Sequence, residues 1–549
     1  MDVAQAKRTL LRNGDRVKEI VRTLTKYGYS SWAVGVPDQY RALATKAVDP
    51  ELLQLSDGER LRRACLDLGV TFIKIGQVLS TRSDLVGPDI AAAMALLQGD
   101  VPPDPPDVVR SIIREQLGSE VDELVQSFGE TPLGSASVAQ VHAATLHDGT
   151  DVVMKIQHEG VHDTIVQDLD IMEALAVLAE DADPDLALYR PVAVTGQLRR
   201  SLLAETNFLL EAANLRKFNE NFSGEPDVEI PTPYPELSSE RVLTMTRMPG
   251  APLSKSMDDL GPGGLSFVKR GADIYIEMIF RDGLFHADPH PGNIYVLPDG
   301  RIGLLDFGKV GRIDPDLQDI IDDMVVAALR KDVDGMVDGI LRICDAPPTL
   351  DRKELRRDIS GWIDQFATAG IANTDMGGAA DAADAILRRH RLFIPPDVAL
   401  LIRTLVQLQG MLVETGVDIT VTEVLSPYAT QIAAKRFAPQ RIARNVQRSA
   451  RDWENLLDTF PVEVAAILEG VRKGQIDLPL NVRGLDRNVN RLVYAALAAA
   501  LFSGSARLWA NNVAPRVGNV SVPGAVGTVA AGAFAFRLLR ASKRAGGIG

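Results

Sequence analysis

Cysteine is nearly missing from this chain. Two occur in 549 residues, Cys65 and Cys344, far apart in sequence. Two cysteines build neither a disulfide framework nor a multi-cysteine zinc site, so a reducing compartment is expected. Aromatic residues are scarce, at 5%, and there are seven histidines. Basic residues are in deficit: 59 Lys and Arg against 73 Asp and Glu leave a net charge of −14. A chain this acidic is a poor general nucleic-acid binder, so no nucleic-acid partner is expected. Nor does the N-terminus read as a secretory signal. Lys7, Arg8, Arg12, Asp15, Arg16, Lys18 and Glu19 interrupt its apolar positions. It reads instead as an amphipathic helix with Leu10, Leu11, Val17, Ile20, Val21 and Leu24 on one side. The remainder is ordinary for a folded protein, with 46% apolar and 24% charged residues.

The pattern along the chain is mixed, and the fold class it gives is α+β. Residues 2–126 have helical spacing, broken by the cluster Val101-Pro102-Pro103-Asp104-Pro105-Pro106. Residues 137–146 and 151–157 then alternate as two strands around His147-Asp148-Gly149-Thr150, a hairpin signal. Helices are expected over 161–180 and 192–219, with a strand over 241–246 and a further helix over 265–283. A second hairpin follows, from Ile294 to Leu305 around Pro298-Asp299-Gly300. From 314 to about 486 the pattern is helical. Domain boundaries are accordingly expected at 1–126, 127–250, 251–345, 346–487 and 488–549.

The C-terminal end differs in kind. Residues 492–506 and 517–536 carry no charge. The second run is long enough to cross a bilayer, and the first becomes so only if it extends past Arg507 to Ala510. Arg483, Arg487 and Arg491 precede the pair, and Arg537, Arg540, Lys543 and Arg544 follow it. Basic flanks on both outer sides predict a membrane hairpin with both ends, and so the catalytic domain, on the cytoplasmic side. Arg507 and Arg516 in the connection speak against it. The competing reading is a buried helical pair in a homodimer face, since small residues allow close packing.

The chemistry concentrates in one stretch. Asp288 and Asn293 lie five residues apart, and Asp306-Phe307-Gly308 closes the hairpin behind them. Asp-x-x-x-x-Asn, a short hairpin and Asp-Phe-Gly is the order of a phosphoryl-transfer site. Asn293 and Asp306 supply hard oxygen ligands for Mg²⁺, and Asp288 stands where a proton is accepted or a nucleophile oriented. The bland alternative is a set of turn formers and caps. Lys155 is a lone lysine on an apolar strand, read either as an exposed edge lysine or as a phosphate ligand paired with a glutamate. The candidate partners are Glu205 and Glu211, and Glu211 is favoured. Gly134-Ser135-Ala136-Ser137 could cradle phosphates through backbone N–H groups, but it lacks the full Gly-x-Gly-x-x-Gly pattern. His286 and His290 flank Asp288 as a candidate metal triplet, or brace the loop by hydrogen bonds.

Phe285-His286-Ala287-Asp288-Pro289-His290-Pro291-Gly292-Asn293 with Asp306-Phe307-Gly308 resembles the UbiB (aarF-domain) atypical kinases. Lys74-Ile75-Gly76-Gln77, continued by Ser80, Arg82 and Asp84, is similar to that family's Lys-x-Gly-Gln motif, and Gly134–Ser137 to its alanine-rich loop. Val153–Gln157 matches its lysine-bearing strand. The resemblance covers about residues 10 to 320, and the C-terminal hairpin fits bacterial members. It implies a protein-kinase-like two-lobe fold with an N-terminal helical extension, extra C-terminal helices and ATP or ADP with Mg²⁺ as cofactors. The cofactor-binding residues are then Lys155, Ala136, Ser137, Glu211, Met245 and Arg247; Asp288 is catalytic, and Asn293 and Asp306 hold the metal. Lys74, Gln77, Glu205 and Asn207 become contacts of the extension over the active site. The implied function is an atypical kinase or ATPase supporting quinone or isoprenoid-lipid biosynthesis. Its partners would be a nucleotide, a membrane lipid or quinone precursor, and lipid-biosynthetic enzymes. The alternative is a weakly catalytic nucleotide-binding scaffold. Two departures stand out. Glu205-Thr206-Asn207 has Asn where the family has Asp, which weakens any pairing with Lys74, and Gly134 opens the alanine-rich loop.

Overall fold

A computed structural model of the chain describes residues 1–414, apart from 30–51, 81–85, 98–100, 183–189, 257–263, 345, 348 and 368–375, with a few positions beyond 414. Arg82, Asp84 and nearly all of the C-terminal apolar runs with their basic flanks lie outside the described residues. The chain divides into two compact units, Met1–Arg441 and Ile442–Gly549.

The first unit opens with a helical extension: α1 (Val3–Arg12), α2 (Gly14–Lys26), α3 (Asp57–Leu68), α4 (Val70–Leu79) and α5 (Pro88–Ala95). The single N-terminal helix of the sequence reading is in fact two, broken at Asn13. Leu10, Val17, Ile20 and Val21 are buried, whereas Leu11 is 57% exposed. Leu11 is one residue, about 100° of helix, out of phase with Ala6 and Leu10. After α6 (Pro106–Leu117) and the short α7 (Val121–Leu124) comes the first sheet. It contains β1 (Ser127–Phe128), β2 (Gly134–Ser135), β3 (Ala139–Thr145), β4 (Asp151–Gln157) and, later in the chain, the strand Val242–Thr246.

The β3–β4 hairpin turns where the sequence demands it. Gly149 takes φ +87°, the Thr150 N–H donates to Asp148 Oδ1 at 2.8 Å, and the Leu146 N–H donates to the Thr150 carbonyl. β4 is central in the sheet, between β3 and Val242–Thr246, so Lys155 is not on an edge. Period-2 alternation sorts its side chains. Val152, Met154 and Ile156 pack with Val109, Ile112 and Ile113 of α6. Val153, Lys155 and Gln157 therefore face the other way.

That other face is covered by helices. α8 (Val161–Ala182) carries the extension, with Ile171, Ala174 and Leu178 packed on Leu10, Val17 and Ile20. Asp168 is fully buried there and receives Arg16 at 2.7 and 2.8 Å. The expected helix over 192–219 is also two: α9 (Pro191–Glu205) and α10 (Phe208–Asn221). Asn207 takes extended backbone and caps α10 with its side-chain oxygen.

The strand Val242–Thr246 of the first sheet is β6, and the second lobe is built from β5 (Val228–Glu229), β7 (Ala251–Pro252), α11 (Leu253–Ser256) and α12 (Gly264–Glu277). Then follow β8 (Leu284–His286), β9 (Ile294–Val296), β10 (Ile302–Leu304) and β11 (Val310–Arg312). One small sheet has the order β5-β10-β9-β7, and β8 pairs with β11. Gly311 is required, because a Cβ there would come within 2.1 Å of the Phe285 ring on the partner strand. Five helices follow: α13 (Pro315–Leu329), α14 (Val333–Ile343), α15 (Arg352–Ala367), α16 (Met376–Arg389) and α17 (Pro396–Glu414). Among the described residues, α17 contains the one stretch long and apolar enough to cross a membrane, 396–413. Its Leu401, Leu408, Met411 and Leu412 are buried in the main core with Tyr275, Phe285 and Phe307, which suits a core helix.

In the second unit, Arg516–Val517 pairs with Val520–Ser521 as a short antiparallel ribbon. The apolar run expected to begin a helix at Val517 therefore begins in extended structure.

Candidate functional site

The site forms where α10, β4 and the two small β pairs converge. α10 presents one face at spacing i, i+3, i+7. Glu211, on its first turn, accepts from Lys155 Nζ at 2.9 and 3.1 Å. Asn214 donates to the Phe307 carbonyl at 3.0 Å. Phe218 packs its ring 4.6 Å from that of Phe307. A single helix thus fixes both the lysine and the Asp-Phe-Gly segment. Of the two candidate glutamates, Glu211 takes the lysine. Glu205 goes elsewhere because Thr206 and Asn207 break the helix between them.

Asp306 is the second anchor. Its backbone sits at φ +61°, in the left-handed region that a non-glycine residue rarely adopts. Fully buried Phe307 on one side and the Gly308 N–H on its Oδ1 at 3.4 Å on the other hold it there. The hairpin brings Asn293 to the same place. Ile294 pairs with Leu304, and the Leu305 N–H donates to the Asn293 carbonyl at 2.9 Å. Asn293 and Asp306 therefore leave adjacent ends of one hairpin. The Asn293 amide N–H donates to the Asp288 carbonyl at 3.2 Å, leaving its side-chain oxygen for another partner. Such oxygen donors fit a hard divalent cation.

Electrostatics tie these groups together. Asp306 Oδ1 lies 3.7 Å from Lys155 Nζ. The lysine charge holds the Asp306 carboxyl down at about 2, against the opposing effect of burial. The side chain is still 55% exposed, so solvent screens this coupling. Burial disfavours the Lys155 cation, but Glu211, Asp306 and Glu205 outweigh it and hold the ammonium above its ordinary value. Burial pushes the Glu211 carboxyl up, with Lys155 pulling the other way. With both of its oxygens on the ammonium, we take the charged pair as the resting state.

The loop carrying Asp288 is braced by its histidines. His286 is fully buried, with Nε2 2.9 Å from the Leu305 carbonyl and Nδ1 accepting the Asp288 N–H at 3.2 Å. His290 Nδ1 accepts the Gly292 N–H at 3.0 Å. Both nitrogens of His286 are spent on the backbone. No group of three His, Cys, Asp or Glu suited to a metal ion occurs among the described residues.

The extension enters through α4. Lys74 Nζ forms an ion pair with Glu205 Oε2 at 2.8 Å, and Lys309 approaches the other oxygen at 3.8 Å. Burial opposes ionisation of Glu205, yet the two lysines outweigh it and lower the carboxyl. Gly76 lets α4 approach closely, since a Cβ would stand 2.2 Å from Leu97. Gln77 donates to the Leu97 carbonyl at 3.1 Å. Its bond thus lies within the extension rather than over the active site. Asn207 likewise does not pair with Lys74, because its oxygen accepts the Leu209 N–H at 3.0 Å as a helix cap.

The remaining expected contacts are less direct. In the β2–β3 turn, the Ala136 N–H is spent on the Ala139 carbonyl, and Ser137 is buried. Met245 is buried opposite Val153, and the exposed Arg247 gives its N–H to the Asp151 carbonyl. Sequence reasoning passed over Lys309, directly after Asp-Phe-Gly, and Asp104 and His158, which lie under the β2–β3 turn. Lys309 was open to detection by its position. Asp104 sits inside a proline cluster whose sequence signal is only that of a helix breaker.

Comparison with known proteins settles the relationship. Residues 96–339 match the ABC1 atypical kinase-like domain, and 477–544 match the ABC1/UbiB kinase-like C-terminal domain. A probable protein kinase UbiB from Pseudomonas entomophila (strain L48) is 32% identical over 467 residues, 84% of this chain and 86% of that one. The chain belongs to the ABC1/UbiB atypical kinase-like family. An uncharacterized protein in the hydrogenase 1 5′ region of Clostridium pasteurianum is 28% identical over 97% of this chain and 99% of its own. A Mycobacterium tuberculosis structure, the Rv3197–erythromycin complex, aligns at 23% identity with TM-score 0.48, over 64% of this chain and 90% of that one. The mixed α and β fold described above is in keeping with the kinase-like domain of that family.

Proposed function

We propose that the chain is a Mg-dependent, ATP-using enzyme of the UbiB type. It would act at the cytoplasmic face of a bacterial membrane in support of quinone or isoprenoid-lipid biosynthesis. The observation that carries this reading is Lys155 gripped by Glu211 with Asp306 3.7 Å away. A scaffold without turnover has no physical need for that pair beside both oxygen donors.

On this reading Lys155 leans on Glu211 and offers its ammonium to the nucleotide phosphates. Asn293 and Asp306 would hold Mg²⁺, which neutralises phosphate charge when bound. Asp288, on its histidine-braced loop, orients the attacking oxygen and receives its proton. That oxygen belongs to water or to a membrane lipid or quinone precursor. Lys74 and Lys309 hold Glu205 beside these residues, tying the extension to the segment that follows Asp-Phe-Gly.

The test is phosphate release from Mg-ATP by purified full-length protein, with and without lipid vesicles, beside Asp288→Asn. Turnover that rises with vesicles and disappears in the variant is the expected result. Nucleotide binding without turnover under any condition would leave the scaffold reading in its place.

A further inference from the structure

The proline-rich segment 101–106 leads from the extension into α6, and it does more than connect. Asp104 stands at the centre of a small polar network beneath the β2–β3 turn. Its N–H donates to Gln140 Oε1 at 2.9 Å. Its Oδ2 lies 2.9 Å from His158 Nδ1 and accepts the Glu159 N–H at 3.1 Å. The far side of the His158 ring reaches the turn itself, with Nε2 3.0 Å from the Ala136 carbonyl and 3.4 Å from Ser135 Oγ. Ser135 closes the circuit by donating to the Val101 carbonyl at 2.7 Å.

Three features make this more than surface decoration. His158 is 5% exposed and Gln140 not at all, so the ring and the amide are shielded from water, while the Asp104 side chain is 22% exposed. The ring bridges two elements, with Asp104 Oδ2 on its Nδ1 side and the Ala136 carbonyl and Ser135 Oγ on its Nε2 side. Prolines at 102, 103, 105 and 106 stiffen the segment that presents Asp104, which lowers the entropy lost on holding it in place.

We propose that Asp104 and His158 form a clamp by which the segment joining the extension to the nucleotide lobe fixes the phosphate-covering turn. They are positioning residues, acting on nucleotide affinity through Ser135 and Ala136. This rests on the reading that nucleotide phosphates lie under that turn, beside Lys155.

The experiment measures the Kd of Mg-ADP by titration of full-length protein, with KM for ATP and kcat measured in parallel. The variants are Asp104→Asn, His158→Gln, their double, Ser135→Ala and Lys155→Met. Melting without nucleotide checks that each is folded. The clamp predicts a Kd at least fivefold weaker in Asp104→Asn and in His158→Gln. The double variant should be no worse than the weaker single, because both cut one linkage. KM for ATP should rise in step, with kcat changing less. A residue that only stabilised the fold would lower the melting point and leave the Kd of folded protein unmoved. If His158→Gln does not fold, Asp104→Asn and Ser135→Ala decide. Lys155→Met separates the two claims: native affinity in that variant overturns the nucleotide-site reading. Loss of binding there, with Asp104→Asn and Ser135→Ala within twofold of native or tighter, overturns the clamp.

Discussion

Two lysine–glutamate pairs lie near one another in this molecule and differ in what they join. Lys155 and Glu211 are 2.9 Å apart and link a central strand to the helix behind it. Lys74 and Glu205 are 2.8 Å apart and link the extension to the end of the preceding helix. The glutamates are six residues apart in sequence. What separates their roles is the break at Thr206-Asn207, which ends one helix and caps the next. Glu211 becomes part of the lobe's internal machinery, and Glu205 becomes a socket for a neighbouring element. Chemical type alone does not assign a residue its work; the backbone between residues does.

The largest effect should come from breaking the inner pair. Lys155→Met leaves Glu211 buried without its partner, at a cost of about 3 kcal/mol. Burial raises the Glu211 carboxyl, so it escapes by taking up a proton. A group whose folded-state value lies above its unfolded value contributes stability fully below the unfolded value, near 4.3, and loses it as pH rises. The melting deficit of Lys155→Met against native should therefore be smaller at pH 5 than at pH 8. An equal deficit at both would contradict the buried-carboxylate account.

Asp306→Asn comes next. It should remove the Mg-dependent part of the nucleotide-induced melting shift and keep the fold. Lys155 depresses Asp306 to about 2, below the usual 3.9. Its contribution to stability is therefore present above about pH 4 and is lost only as pH falls towards 2. The metal assignment fails if this variant keeps the full shift.

Breaking the outer pair should cost less. Lys74→Met leaves Glu205 with Lys309 at 3.8 Å, so the expected loss is about 2 kcal/mol by thermal unfolding. The smallest effects belong to the residue that separates the pairs. Asn207→Ala should lose about 1 kcal/mol as a missing helix cap. Asn207→Asp restores the residue expected in the family and should melt within a degree or two of native, since either side chain caps well. A large loss of melting temperature in Asn207→Asp would mean that the position does more than cap.

The four residues Lys155, Asp288, Asn293 and Asp306 were legible because their order is local. A hairpin of known register carries Asn293 to Asp306, and a strand period of two aims Lys155. The choice between Glu205 and Glu211 turned on a helix break signalled only by Asn207. Leu11 was grouped with Leu10, although one residue of helix turns it about 100° away from that buried neighbour. Gln77 was expected at the site, but Gly76 brings Leu97 close enough to take its hydrogen bond. Asp104 and His158 are 54 residues apart, and no local period joins them. The membrane hairpin rested on composition and flanking charge, and most of it lies outside the described residues.

The most direct test sets the two pairs side by side. Melting would be followed with and without Mg-ATP in native protein, Lys155→Met and Lys74→Met, at about a hundredfold excess over the native Kd. Native protein and Lys74→Met should both gain stability, by about 3 kcal/mol from mass action, and Lys155→Met should gain none. A full shift in Lys155→Met would contradict the assignment of the inner pair to the nucleotide.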